Sequence, residues 1–425
     1  MNDLAAYIQS TPMIDTHEHL NTEASFVQQG PDVLQDLFDN YITADLVVAG
    51  AAPEAVQRLI DRRDRDIEAR FAGVRAAWER CQHTGYGQAV RLIARLVYGM
   101  DEISLAAIES TEPRNRELRQ PGGRMRLLRD LGRLDHVQID NFCWPCAPDP
   151  AGPAFFLYDI SWVSFCEARI NPASLFDETG VTVTDLPSLR AAMERIFERY
   201  GPLAVAVKSQ HAYTRTLLWR ERDDASVARA LQRQLAGHQL SEDERLGLGD
   251  WCLARGVELA IAYDLPFKIH TGYHAGHSRM PIDWVRSGLL TDLLTAYPQA
   301  RFVLMHTAFP YSAELLALAK HFPNVYMDMC WAWSIDPLNG CEFVRRAIHS
   351  VPAQKLFVFG GDSFWPTASV AYAAQARAFL TRALQAEVDE QLLTEAEAIG
   401  LAERFMRTNQ AACFDLERTR AALGA

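Results

Sequence analysis

Two hydrophobic rhythms divide the chain. The segment Pro12-Met13-Ile14-Asp15-Thr16-His17-Glu18-His19-Leu20 starts apolar and then alternates, as a strand does when it runs out to its end. From about residue 24 to 134 the pattern becomes helical and rich in charge. Apolar positions recur every three to four residues from Asp64 to Phe71, onward through Trp78, and again from Val90 to Val97. Gly, Pro and Arg accumulate from Glu112 to Arg126, where a loop is expected. No run in this block alternates like a strand, which predicts a helical insertion or cap over residues 24–134.

After it, short β-like runs alternate with amphipathic stretches. The runs are 136–140, 155–158, 203–208, 266–270, 301–306, 324–328 and 355–362; the helical stretches include Ser188 to Tyr200, Glu242 to Tyr263, Trp284 to Tyr297 and Ser312 to Phe322. With the His17 segment this makes eight strands, and strand–helix alternation implies a parallel sheet. Eight such units in one chain predict an α/β protein built as a (β/α)8 TIM barrel with a long helical insertion after strand 1, one unit spanning residues 1–425. No short repeat or low-complexity tract suggests a solenoid or propeller.

Composition narrows the class of partner. The hydrophobic share of 49% and charged share of 23% are those of an ordinary globular chain. No apolar run approaches the ~18 residues of a bilayer helix. Forty-two basic against fifty-four acidic residues give a net charge of −12, which argues against nucleic acid or an anionic membrane as partner. The first Lys or Arg is Arg58, so neither a charged leader nor a transit peptide is expected. Eight cysteines are too few for a disulfide scaffold. The close pair Cys143 and Cys146, in Phe-Cys-Trp-Pro-Cys, lacks a second CxxC and is expected to be two ordinary thiols in a reducing, cytoplasmic compartment.

The chemistry sits where the strands end. In a parallel barrel those ends converge on one mouth, and there the sequence places His17, His19, Lys208, His270, His306 and Asp362. His17 and His19 are two apart on a strand, so both leave one face and can bind one cation; neutral imidazole suits zinc and its neighbours. Asp362 follows Gly360-Gly361, which would let backbone crowd close to an ion, though a helix N-cap before Trp365-Pro366 explains an Asp there equally well.

Taken together, Asp15-Thr16-His17-Glu18-His19-Leu20 and the later strand-end Lys208, His270, His306 and Asp362 resemble the amidohydrolase superfamily of metal-dependent barrel enzymes. The tail Phe405-Met406-Arg407-Thr408-Asn409-Gln410-Ala411-Ala412 resembles the closing helix of its amidohydrolase-related branch. The resemblance implies a divalent metal, zinc first and manganese as the alternative, as one or two ions. His17, His19 and Asp362 would hold the more buried ion, and His270 and His306 would face a second ion or the substrate. Lys208 would be a carbamate bridging two metals, a lysine meeting a substrate carboxylate, or neither. The implied reaction is attack of a metal-activated water on a C–N or C–O bond of an amide, lactone or ester. Asp362 would serve as general base then acid, and His306 would orient or polarise the substrate. The alternatives on the same barrel are a single-metal decarboxylase and a sugar-acid isomerase.

Loops after the same strands supply the expected substrate contacts: Tyr213 and Arg215, then His274, His277 and Arg279, then Trp331 as an aromatic wall. The two arginines point to a small carboxylate-bearing substrate. A small molecule is the expected partner, with homo-oligomerisation open. No GxGxxG, GxxxxGK[ST] or GxSxG motif supports a nucleotide-binding or serine-hydrolase reading.

Overall fold

A computed structural model describes residues 3–424; Met1, Asn2 and Ala425, the ends of the span assigned to the barrel, lie outside it. Eight strands occur in chain order: β1 Met13–Glu18, β2 Leu134–Ile139, β3 Phe156–Ser161, β4 Ala206–Ser209, β5 Phe267–Ile269, β6 Phe302–Leu304, β7 Val325–Asp328 and β8 Leu356–Phe357. Each pairs in parallel with the next, and the order around the sheet is the order in sequence. The chain after β8 returns to β1: Thr16 N–H donates to the Phe359 carbonyl at 3.1 Å, and Asp362 N–H donates to the His17 carbonyl at 2.9 Å. These bonds complete the (β/α)8 barrel, the architecture expected from the alternation of strands and helices.

The lumen is polar near its middle and apolar at its floor. Lys268 of β5 crosses it, its ammonium donating to the Thr16 carbonyl, Gln138 Oε1 and both oxygens of Asp159 at 2.7–3.0 Å. A fully buried charge is tolerated only when paired and hydrogen-bonded like this. Below it, Ile14, Leu157, Val205, Val303 and Phe357 close on Phe414 and Leu416. The plug comes from the helices Asn409–Phe414 and Leu416–Ala422, just past an i→i+5 turn at Arg404–Thr408.

Helices form the outer layer and the long excursion between β1 and β2, where no strand occurs. Three local expectations are corrected there and beyond. The stretch Asp64–Trp78 is two helices, Ile67–Ala72 and Arg75–Cys81: Asp66 caps the first by accepting from Ala69 N–H, and the chain breaks at Gly73. The loop expected from Glu112 begins later, because the helix Leu105–Leu118 runs through Pro113; buried Ile108 and Asn115 hold it against its neighbours, and packing outweighs propensity. Trp284–Tyr297 is α-helical only from Thr291 to Ala296; a 3-10 turn at Ser287–Leu290 precedes it, with the Gly288 N–H donated to Glu314.

Candidate metal centre

At the mouth, β1 and the segment after β8 meet. His17 Nε2, His19 Nε2 and Asp362 Oδ1 form a triangle whose three edges are each 3.3 Å. The centre of such a triangle lies about 1.9 Å from each corner, close to the ~2.0–2.1 Å of a zinc–imidazole bond. His19 Nδ1–H donates to the Asp140 carbonyl at 2.6 Å, which fixes the ring so that Nε2, here bonded to Asp362, is the nitrogen that would meet a cation once its proton is lost. Phe142 stacks on the outer face of His19 with ring centroids 4.3 Å apart. The donor set and its spacing fit a divalent cation.

Burial decides the protonation states. It pushes His17 well below the usual histidine range, helped by Lys208, and does the same to His270, helped by His306 and Lys208. Burial also takes His306 down to about 4. All three are therefore neutral at physiological pH, the form that ligates metals. Burial alone would raise Asp362 and lower His19. The hydrogen bonds between them, joined for Asp362 by that to His17, outweigh it: Asp362 is held well below the carboxylate range and His19 is raised.

Lys208, at the end of β4, is fully buried with Nζ 3.0 Å from His17 Nε2. His270 lies just past β5, and its Nε2–H donates to the Tyr273 carbonyl at 3.0 Å. His306, just past β6, packs its ring 4.2 Å from that of His270 and donates Nδ1–H to the Cys330 carbonyl at 2.9 Å. Its Nε2 is buried without a partner. A second convergence joins His306, Cys330 and Asp362, whose ligand atoms lie within 4.8 Å of one another; His270 is in neither trio. The backbone bends to deliver these groups: His306, Trp331 and Asp362 have φ of +63°, +62° and +54°. Such left-handed conformations in non-glycine residues cluster at working sites.

The expected substrate contacts separate. Tyr213 lies over the centre, its ring 4.8 Å from His270 and 4.4 Å from His274, and its hydroxyl accepts from Ala275 N–H at 2.9 Å. His274 is buried, with Nε2 unpartnered. Trp331 packs edge-on to His306, centroids 5.5 Å apart, and against Tyr41 at 4.2 Å. His277 and Arg279 are exposed, His277 turned to the Ser278 hydroxyl. Arg215 is corrected: it points away, buried in an ion pair with Asp250 at 2.5 Å, its remaining donors taken by the carbonyls of Thr216, Cys166, Leu246 and Leu218. No donor is left for a substrate, and of the two arginines only Arg279, on the rim, stays available.

Sequence reasoning missed several groups. Tyr41 comes from the insertion, and its hydroxyl donates to the Asp362 carbonyl at 2.5 Å. Tyr86 and Tyr372 complete an aromatic wall with Tyr41 and Trp331, and their hydroxyls, like Trp331 Nε1, are buried without partners. Cys330 alone carried a signal, standing two residues past Asp328 at the end of β7. Cys143 and Cys146 are both free thiols, one exposed and one buried.

Similarity to known proteins agrees with this geometry. Residues 175–399, from a helical segment after β3 to beyond β8, match the amidohydrolase family. The protein fluG of Emericella nidulans is 27% identical over 178 residues, 39% of this chain; the chain spans about 20% of that relative's length. Among solved structures, a protein from Lactobacillus casei described as a metal-dependent hydrolase covers 99% of this chain and 99% of its own at 17% identity and a TM-score of 0.65. A uronate isomerase from Thermotoga maritima covers 97% of this chain and 98% of its own at 14% identity and a TM-score of 0.76. A glucuronate isomerase from Caulobacter crescentus covers 97% and 93% at 14% identity and 0.77. At such identities the structures speak to the fold alone, while the family match spans more than half of the chain: this protein belongs to the amidohydrolase family, on a TIM-barrel fold.

Proposed function

We propose that the protein is a metal-dependent hydrolase that cleaves a C–N or C–O bond of a small polar substrate. The observation that carries this reading is the 3.3 Å triangle of His17, His19 and Asp362 at the barrel mouth, with Lys208 beside it. A divalent ion there, zinc or manganese, would lower the pKa of a water toward ~7 and polarise a carbonyl.

The chain's own groups do the rest. Asp362, ionised and next to the attacking water, takes its proton and returns it to the leaving group. His306 and His270 each donate one N–H to a backbone carbonyl, which leaves one lone pair apiece, that of His306 buried and unpartnered. They are therefore acceptors or ligands, and neither is a donor that could polarise a carbonyl while neutral. Lys208 as an ammonium would compete for the same His17 lone pair that the cation needs and would repel it. Carboxylated, it would instead supply anionic oxygens. Trp331 packs beside His306 and Tyr273, and Phe142 covers the outer face of His19.

A second reading, isomerisation of a sugar acid around one ion, is favoured by the unpartnered hydroxyls of Tyr86 and Tyr372 and the Trp331 N–H, which suit a polyhydroxylated substrate. Protein loaded with zinc or manganese, counted for metal, probed at Lys208 with 13C-bicarbonate and assayed on N-acyl amino acids, lactones and uronates separates the two. Two ions per chain, a carbamate signal and hydrolysis are expected. One ion, an unmodified lysine and uronate interconversion would replace the first reading with the second, and no bound metal would sink both.

A further inference from the structure

We propose that Cys330 Sγ is a thiolate ligand at the second cation position of this centre, beside His306 and the carboxylate of Asp362. The inference rests on the metal-dependent reading above and deepens it.

Three separate features point to the same spot. The ligand atoms of His306, Cys330 and Asp362 lie within 4.8 Å of one another, and all three residues are buried. The Cys330 carbonyl takes the Nδ1–H of His306, which fixes the ring and turns Nε2, buried and unpartnered, inward. One residue thus orients the histidine through its backbone and offers a ligand through its side chain, the arrangement by which outer hydrogen bonds set a metal ligand.

Cys330 is itself held in place. Its N–H donates to Asp328 Oδ1 at 2.8 Å, and Trp331 N–H donates to the Gly360 carbonyl at 2.9 Å. A Cβ on Gly360 would stand 2.6 Å from Cys330 Sγ, so glycine there makes the room the sulfur occupies. A sulfur, an imidazole nitrogen and a carboxylate oxygen form a donor set for a borderline or soft ion. Zinc and cobalt(II) are favoured over manganese, which prefers oxygen. On binding, the thiol proton leaves to solvent and the sulfur lone pair enters the metal bond. Asp362, common to both trios, would link the two positions.

Cobalt(II) titration of the metal-free full chain tests this. A sulfur-to-cobalt charge-transfer band in the near ultraviolet is expected to grow with the second equivalent. Cys330→Ser should lose the band and bind about one cobalt, Cys81→Ser in the insertion should keep both, and His306→Gln should lose the second equivalent. Wild-type protein that binds cobalt without the band, or a band that survives in Cys330→Ser, would overturn the thiolate site and leave the first site standing. Absence of the band from the wild-type spectrum overturns the site even if a variant fails to fold. A chain that binds no cobalt at all would instead overturn the metal-dependent reading and this inference with it.

Discussion

Asp362 is anchored on every side. Its N–H bonds the His17 carbonyl, its own carbonyl accepts the Tyr41 hydroxyl, and its carboxylate meets both histidines of β1. Asp362→Asn keeps that shape but loses a proton acceptor. Turnover on the identified substrate is expected to fall by several orders of magnitude with metal content retained, and full activity would remove the aspartate from its role. Tyr41→Phe removes only the outer bond, and metal affinity in chelator competition should weaken about 10- to 100-fold, as other outer-shell losses do. Arg215→Met should behave differently from both. It strips buried Asp250 of one of its two guanidinium partners and leaves Arg222 at 2.9 Å, so denaturant unfolding should show a loss of about 1.5–3 kcal/mol, with KM unmoved; a raised KM in a stable variant would return Arg215 to the substrate. These cases also mark what single residues disclose. His17 and His19 were legible because a period of two puts both on one face of a strand. Arg215 was not, because the group that claims it lies 35 residues away on a helix.

Elements carry a second kind of information. The strands were legible because buried parallel strands read as short apolar runs between amphipathic helices. The insertion was legible as helix, but its contribution of Tyr41 and Tyr86 to the site was not, since only tertiary packing brings helices 42–48 and 85–98 against the mouth. How the insertion is fastened gives a pH dependence. Asp36, on the helix Val33–Phe38, accepts from the Tyr98 and Thr367 hydroxyls at 2.5 and 2.7 Å and so joins the insertion to the long helix Pro366–Asp389. Burial raises its pKa to about 6 from 3.8, against the lowering effect of those two bonds. The folded state therefore holds the proton more tightly than the unfolded chain. Stability from this group is fully present below about pH 4 and is lost as pH rises through about 6, on the order of 3 kcal/mol. Asp36→Asn stays neutral throughout. Urea unfolding of the variant should lose that part of the slope between about pH 4 and pH 6, whereas a slope equal to that of the wild type would show that Asp36 ionises freely in the folded protein.

On the scale of the whole molecule the centre sits on a seam. β8 has only two residues in regular pairing, and the barrel is completed by a few bonds between the segment after it and β1. The same two segments supply His17, His19 and Asp362, so a bound ion would cross-link chain positions far apart in sequence at the least regular part of the sheet. An ion that binds only the folded state stabilises it by RT ln(1 + [L]/Kd), about 2.7 kcal/mol at a hundredfold excess over Kd. Chelation is therefore expected to lower the thermal midpoint and to do so unevenly. Amide exchange should speed up in residues 13–19 and 358–363, while β3 to β6, whose ladders do not depend on the ion, keep their protection. If chelation leaves exchange at the seam unchanged, or loosens all eight strands alike, the ion is not the clasp between β1 and β8, and the barrel closes on its hydrogen bonds alone.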